Sequence, residues 1–467
     1  VINNSLKTKF VILCGGIGSR LWPISTKNFP KQFIPVYKNL SLFDMTLLRI
    51  KKFNIKSKPI IVTSNNYDFY IKDALKRNKM DADIILEPES KNTTAAIYMA
   101  AKQCDPHDNL VIMPSDHFIK DNIKLKKSLD FAIQLVSKFD WLIFGVRPSH
   151  PSTSFGYIRV HKNKFKENYF AVDKFLEKPS LKKAQNLISL NNSFWNSGIF
   201  VGNSLKILNS ISKLAPDISN ACNVALKSSF INNNTLSFDK KFFKKIKSIS
   251  IDYSVMEKTK NIALIPLSSD WNDVGNWDNF SKAFKIRKTN NIFEIKSKNN
   301  FIKSENSLIS TIGINDTIII QDNNNFLIAK KGSSESVKDL QKKLYNKKIL
   351  NENNNVFENR PWGSFQVLKD DKFFKVKQLS ISPNKRLSLQ YHKYRSEHWF
   401  IVEGEAKVYL DGKIKKLCKG ESINIPKQST HYIENKTNNK LKIIEIQLGT
   451  YFGEDDIIRL DDPYKRQ

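Results

Sequence analysis

Five short apolar runs between Phe10 and Val146, alternating with amphipathic stretches, narrow the folds open to this chain more than any other feature. Phe10–Leu13, Pro59–Thr63, Asp83–Leu86, Asn109–Met113 and Trp141–Val146 have strand length. Ser41–Lys52, Asn66–Asn78 and Thr93–Gln103 lie between them as helices. Such alternation predicts an α/β domain with a mostly parallel sheet covered by helices on both faces, whose ligands gather beyond the carboxyl ends of the strands. Further strands are expected at Phe170–Phe175 and Gly198–Val201, in a mixed region running to residue 288. From 289 to 345 the texture changes to short β pieces, such as Thr317–Gln321 and Phe326–Ala329, between Asn-rich turns. This predicts a small β connector, β-helix-like in character. Asn346–Asn355 reads as a linker that opens a last domain, 346–467, whose residues 356–467 read as an all-β barrel or sandwich of short strands.

The first strand runs into CGGIGSRLWPISTKNFPKQF, Cys14 to Phe33. Gly15, Gly16 and Gly18 let backbone N–H groups approach a phosphate with no Cβ in the way. Arg20 adds a planar cationic fork and Lys31 a point charge. The loop fits neither G-x-G-x-x-G nor the P-loop, yet a strand, a glycine-rich turn and two cations make a place for a polyphosphate. Asp116, in VIMPSDHF, leaves the carboxyl end of a strand, and Asp273 sits in the tight turn WNDVGNW. Either alone reads as a cap or turn residue; together they can hold one hard cation. Glu177 and Lys178 in FLEKP read as a surface pair at a strand end, and Asn92 in EPESKNTTAA as a helix N-cap.

The full string GGxGxR-LWP-x-S-x₄-PKQF resembles the sugar-1-phosphate nucleotidylyltransferases, and among them the bacterial mannose-1-phosphate guanylyltransferases fused to a mannose-6-phosphate isomerase. The resemblance spans nearly the whole chain. It implies a Rossmann-like nucleotidyltransferase domain over residues 1–288 in which a sugar-phosphate oxygen attacks the α-phosphorus of GTP. By this likeness Gly15, Gly16 and Gly18 approach the triphosphate, and Arg20 and Lys31 are catalytic, balancing charge as pyrophosphate leaves. Asp116 and Asp273 carry Mg²⁺. Glu87, Asn92 and Thr93 meet the nucleotide, with Glu87 accepting from guanine. Gly156, Glu177, Lys178 and Asn196 meet the sugar phosphate. The chain departs from the family where Ser152–Ile158 replaces ETGYGYI, and where Lys91 replaces the Arg of RNTAPAI. Guanylyl rather than uridylyl or thymidylyl transfer therefore rests on the resemblance alone.

A second cluster lies at Gln390-Tyr-His392-Lys-Tyr394-Arg395-Ser-Glu397-His398-Trp, with Gly404 after it, followed by Gly420-x₅-Pro426-x₄-His431-x₃-Asn435. On a strand Gln390 and His392 share a face. The spacings match the two cupin motifs, with Gln390 in a place many cupins give to His, as in the fused isomerases. One amide oxygen, two imidazoles and the Glu397 carboxylate suit Zn²⁺ or another divalent metal. Aldose–ketose isomerisation needs a base and a stabilised oxyanion. Arg395 is expected to serve the latter, while His398, Lys393 and Lys385 are open candidates for the base. Tyr394 replaces a histidine common in the family, and Arg360-Pro361-Trp362-Gly363 matches the start of its isomerase domain, where it is expected to shape the barrel mouth.

The formal net charge of +31 raises nucleic-acid binding as a different reading, but the Lys residues are spread among many Asn and Ile with no basic arm. Partners are therefore expected to be GTP, mannose 1-phosphate, mannose 6-phosphate and fructose 6-phosphate, with neither nucleic acid nor membrane; a homo-oligomer is compatible with the sequence. Four scattered cysteines and the lack of an 18-residue apolar run suit a cytoplasmic enzyme. The nearest alternative is a monofunctional guanylyltransferase with a structural barrel. Because its two sugar substrates carry phosphate at different positions, a separate phosphate-moving step must lie between the two activities.

Overall fold

The computed structural model describes residues 7–166, 168–268, 270–284, 290–304, 307–322, 324–347 and 357–464. Most of the linker expected at Asn346–Asn355, and the border expected at residue 288, fall outside these. The chain forms two compact units: Val1–Thr26, Pro30–Ile320 and Phe326–Glu335 in the first, Lys27–Phe29, Gln321–Asn325 and Ser336–Gln467 in the second.

The first unit is built on an 11-stranded mixed sheet. Thr8–Cys14 lies between Ile60–Ser64 and Asn109–Pro114, and Asp83–Glu87 pairs outside Ile60–Ser64, all parallel. Val11 and Ile12 are both fully buried although they face opposite ways, as expected of a strand covered on both faces. The helices Leu42–Lys52, Asp68–Asn78 and Asn92–Lys102 follow these strands where the periodicity predicts them. Ser41 starts the first with a capping box: its Oγ accepts from Asp44 N (3.0 Å), and the Asp44 carboxylate accepts from Ser41 N (3.1 Å). Register brings the strands' carboxyl ends level, Cys14 beside Thr63 and Ser64 beside Glu87. The sheet continues through Ser193–Asn203, antiparallel to Asn109–Pro114, Trp141–Val146 and Tyr157–Lys166.

The connector is a parallel coil. Ile292–Ile295 pairs with Ile309–Ile312, and Phe301–Lys303 with Thr317–Asp322. Its Asn-rich corners satisfy their own backbone: Asn315 Oδ1 accepts from Lys298 N (2.7 Å), and Asn300 Nδ2 donates to the Ile314 carbonyl (2.7 Å).

The second unit is an all-antiparallel double sheet. One sheet carries Phe374–Ile381, Leu441–Gly449 and Arg395–Glu403 side by side. The other carries Glu405–Leu410, His431–Asn435, Leu389–His392 and Ile457–Asp461. Trp399, Ile401, Val408 and Ile433 fill the space between.

Candidate functional site

In the first unit the strand Thr8–Cys14 passes directly into the glycine loop, which turns at Gly18 with a left-handed φ of 71°. A Cβ on Gly18 would fall 2.5 Å from Lys31 Cγ, so glycine lets the loop close over this lysine. Lys31 is 6% exposed, and its Nζ lies 2.9 Å from Asp116 Oδ2 and 2.9 Å from the Asp273 carbonyl oxygen. One ammonium thus joins the loop, the strand end and the distant turn. Burial pushes the Asp116 carboxyl upward, but Lys31 and His117 outweigh it and hold the group below its usual range.

The turn bearing Asp273 is shaped by constraint. Val274 is buried and β-branched, yet adopts φ 48°, which costs on the order of 1–2 kcal/mol. A Cβ on Gly275 would collide with Asp273 Oδ2. Asn279 Nδ2 donates to Asp273 Oδ1 (2.8 Å) and fixes the carboxylate from the other side.

Glu87 ends the strand Asp83–Glu87 beneath Gly15 and is 4% exposed. Its Oε1 has no hydrogen-bond partner among the described residues. Burial pushes its carboxyl up to about 8, with Lys91 offsetting only part of the rise. Asn92 is exposed and left-handed (φ 64°), its Oδ1 accepting from Thr93 N (2.9 Å). Thr93 Oγ1 in turn accepts from Ile251 N (2.8 Å).

Gly156, Glu177 and Asn196 share a cluster: a Cβ on Gly156 would meet Glu177 Oε2 at 2.5 Å, and Asn196 Nδ2 donates to Asp252 Oδ1 at 2.9 Å. Burial, then Glu177, pushes the Asp252 carboxyl up to about 7. Lys178 pairs with Glu177 (3.0 Å) from an exposed position. Arg20 is engaged elsewhere: its Nη1 lies 2.8 and 3.0 Å from the Glu335 carboxylate, which also accepts from Asn276 Nδ2.

In the barrel, Gln390 pairs in register with His431, and His392 lies two residues along the same face. His392, Glu397 and His431 offer ligand atoms all within 4.8 Å of one another, and all three are buried. His392 Nε2 lies 3.0 Å from Glu397 Oε1 without the alignment of a hydrogen bond, and His431 Nε2 lies 3.8 Å from Oε2. The Nδ1 atoms turn outward to backbone carbonyls, of Asp456 at 3.4 Å and Ser429 at 2.8 Å. Two buried imidazole nitrogens facing one carboxylate with no hydrogen-bond partner among the described residues, each ring held by its other nitrogen, are what a metal site requires of its histidines. Burial pushes Glu397 up, but His392, His431 and Arg395 more than offset it and hold it well below the usual range. Burial pushes His431 down, toward the neutral, ligating form.

Three families of known proteins match this chain in turn. The nucleotidyl transferase family matches residues 9–290, the mannose-6-phosphate isomerase C-terminal family residues 345–462, and a β-helix domain of such proteins residues 290–344. A mannose-1-phosphate guanylyltransferase of Salmonella montevideo is 33% identical, with 98% of this chain and 99% of that protein covered. The chain belongs to the mannose-1-phosphate guanylyltransferase family. The alginate biosynthesis protein AlgA of Pseudomonas aeruginosa, 34% identical over 98% of this chain and 97% of its own, is similar throughout as well. Among solved structures, the mannose-6-phosphate isomerase of Helicobacter pylori is 29% identical, covering 57% of this chain and 100% of that one with a TM-score of 0.51. Members of this family are nucleotidyl transferases carrying an isomerase domain, and both parts belong to metal-using classes. Among the described residues no helix is long and apolar enough to cross a membrane.

Several residues at these sites escape a reading of motifs. Asp252 opens a π-helical turn, and Glu335 lies 315 residues beyond Arg20. In the barrel, Lys377, Glu445, Gln447, Glu454 and Arg459 line the same cavity as Gln390, Arg395 and Glu397. One signal is available: in LKIIEIQLG, Glu445 and Gln447 continue the inward register of Leu441 and Ile443, so two polar groups stand where a core strand expects apolar ones. The three candidate bases lie away from this cavity. His398 alternates outward from Glu397 and bonds Asn424, while Lys393 and Lys385 are exposed.

Proposed function

We propose that the first unit makes GDP-mannose and diphosphate from GTP and mannose 1-phosphate, and that the barrel interconverts mannose 6-phosphate and fructose 6-phosphate. The observation that carries the first activity is Lys31, packed under Gly18 along its stem while its ammonium reaches Asp116 Oδ2 and the Asp273 carbonyl. Asp116 and Asp273 are the residues to hold Mg²⁺, which would neutralise phosphate charge as the α-phosphorus is attacked. Lys31 balances the charge of the leaving pyrophosphate, joined by Arg20 once it parts from Glu335, and Gly15, Gly16 and Gly18 admit the triphosphate backbone to backbone. Glu87 meets guanine beside Asn92 and Thr93. Gly156, Glu177, Lys178 and Asn196 receive mannose 1-phosphate, and Asp252 belongs with them through its bond to Asn196.

In the barrel, Gln390, His392, Glu397 and His431 are the residues to hold Zn²⁺ or a neighbouring divalent ion, which would polarise the sugar carbonyl. The unpartnered imidazole nitrogens favour a working centre over a vestigial barrel. Arg395, 1% exposed, steadies developing oxyanion charge. The working division at residues 288 and 345, a cytoplasmic setting and a homo-oligomeric assembly complete the reading.

Pyrophosphate release on mixing the protein with GTP, Mg²⁺ and mannose 1-phosphate tests the first activity; faster release with UTP or dTTP would overturn the guanylyl assignment. His431→Ala should abolish sugar-phosphate isomerisation while sparing pyrophosphate release, and chelation should abolish isomerisation as well. No isomerisation with any added divalent metal would leave a one-enzyme protein.

A further inference from the structure

The isomerisation assigned above leaves its proton carrier unnamed, and the barrel holds a carboxylate with no other evident task. Glu445 is 4% exposed and lines the cavity shared by Gln390, Arg395 and Glu397. It stands opposite Trp399 in the register of the two central strands, one step along the same face from the Gln447–Glu397 pair. Trp399 Nε1 lies 3.1 Å from Glu445 Oε2 and 3.1 Å from Glu397 Oε2. Gln447 Nε2 lies 2.8 Å from Glu445 Oε1 and 3.1 Å from Glu397 Oε1. Two neutral donors therefore hold both carboxylates in fixed relation, as an indole and an amide can without neutralising either.

The other acids of the cavity wall are committed. Glu454 faces Arg360 at 3.4 Å and Lys377 at 3.8 Å. Glu397 belongs to the ligand cluster. Lys377 pairs with Glu454 at 3.8 Å and reaches Glu445 at 4.0 Å, while the hydrogen bonds that direct the Glu445 oxygens come from the neutral Trp399 and Gln447.

We propose that Glu445 is the catalytic acid–base of the barrel, carrying one proton between C2 and C1 of an open-chain hexose phosphate. In the aldose-to-ketose direction its carboxylate takes the C2 proton. The C2–H pair becomes the C1=C2 bond, and the carbonyl pair of C1 moves onto O1. The Glu445 carboxylic acid then returns the proton to C1, the O2–H pair forms the C2 carbonyl, and the O2 proton passes to O1. No co-reactant is consumed and the carboxylate is regenerated. A carboxylate fixed by neighbours at hydrogen-bond distance suits a group that must be placed before it reacts.

This inference rests on the isomerase reading, so the test uses Glu445→Gln in the full chain beside the wild type, in four measurements. These are isomerisation, deuterium wash-in from ²H₂O at C2 of mannose 6-phosphate, bound metal by elemental analysis, and mannose 6-phosphate affinity by calorimetry. The expected result is a loss of at least a hundredfold in kcat and in wash-in, with metal content, affinity and pyrophosphate release at wild-type levels. Isomerisation or wash-in within a few-fold of wild type overturns the proposal. So does parallel loss of metal, which would make Glu445 a support for the ligand cluster. Wild-type protein silent in isomerisation with every divalent metal would instead refute the isomerase reading itself.

Discussion

Replacing Glu87 by Gln removes a buried charge while keeping the side chain's shape, and its effect on stability should depend on pH in a calculable way. The Glu87 carboxyl rises from 4.5 in the unfolded chain to about 8 in the fold, because burial disfavours its charge and Lys91 offsets little of that. Since the folded value is the higher one, the wild-type fold holds a proton that the unfolded chain releases. Wild-type stability is therefore greatest below 4.5 and falls as pH rises through about 8. Each pH unit in that window removes ~1.4 kcal/mol, giving a penalty of roughly 1 kcal/mol near pH 5, ~3 near pH 7 and ~5 near pH 9. The Gln variant has no proton to lose. Urea unfolding of both proteins across this range should show Glu87→Gln gaining on wild type with increasing pH, from near parity in acid. A difference that stays flat, or that favours wild type more at high pH, would mean that Glu87 is ionised in the fold and that its unpartnered Oε1 has company in solution.

Glu335→Gln should release Arg20 and lower the KM for GTP by up to about fivefold, since a partly exposed ion pair is worth ~0.2–1 kcal/mol. The difference should shrink in high salt, and a raised KM would show that Glu335 orients Arg20 productively. Gly275→Ala should cut pyrophosphate release at least tenfold without touching the barrel's activity, because the new methyl collides with Asp273 Oδ2; wild-type turnover would show that the turn yields freely. Asp278→Ala should speed hydrogen exchange at residues 332–336 while leaving the strand Thr8–Cys14 protected, and unchanged exchange would refute its anchoring role.

The parallel half of the large sheet is legible in the sequence because its strands are buried on both faces and read as unbroken apolar runs. The antiparallel half is less so. Ser193–Asn203 finds partners at Asn109–Pro114, Trp141–Val146 and Tyr157–Lys166, and no local periodicity encodes pairing over such separations. The same limit governs the sites. Gly15, Asp116, Gln390 and His392 lie in dense local strings whose chemistry shows in their spacing. Glu445 lies in a strand whose polar residues need a known inward face before they stand out, and Asp252 and Glu335 acquire neighbours only through the fold. Val274 carries no signal at all, since nothing in a valine announces a left-handed backbone.

Asp278 sits in the first turn of the helix Trp277–Ala283, and its carboxylate accepts from Gly332 N (2.7 Å), Ser334 N (3.1 Å) and Ser334 Oγ, while its own N–H donates to Ser334 Oγ (3.0 Å). Ser334 and Trp277 are buried, and the Trp277 ring lies tilted beside that of Phe301 of the coil, centroids 6.4 Å apart. A gene truncated near codon 290 would therefore encode a protein with an open wound: an unanswered aspartate, a bared tryptophan and an arginine without its carboxylate. Anyone shortening this transferase should keep the chain as far as Glu335, because Ser334 and Glu335 supply the partners that Asp278 and Arg20 would otherwise lose.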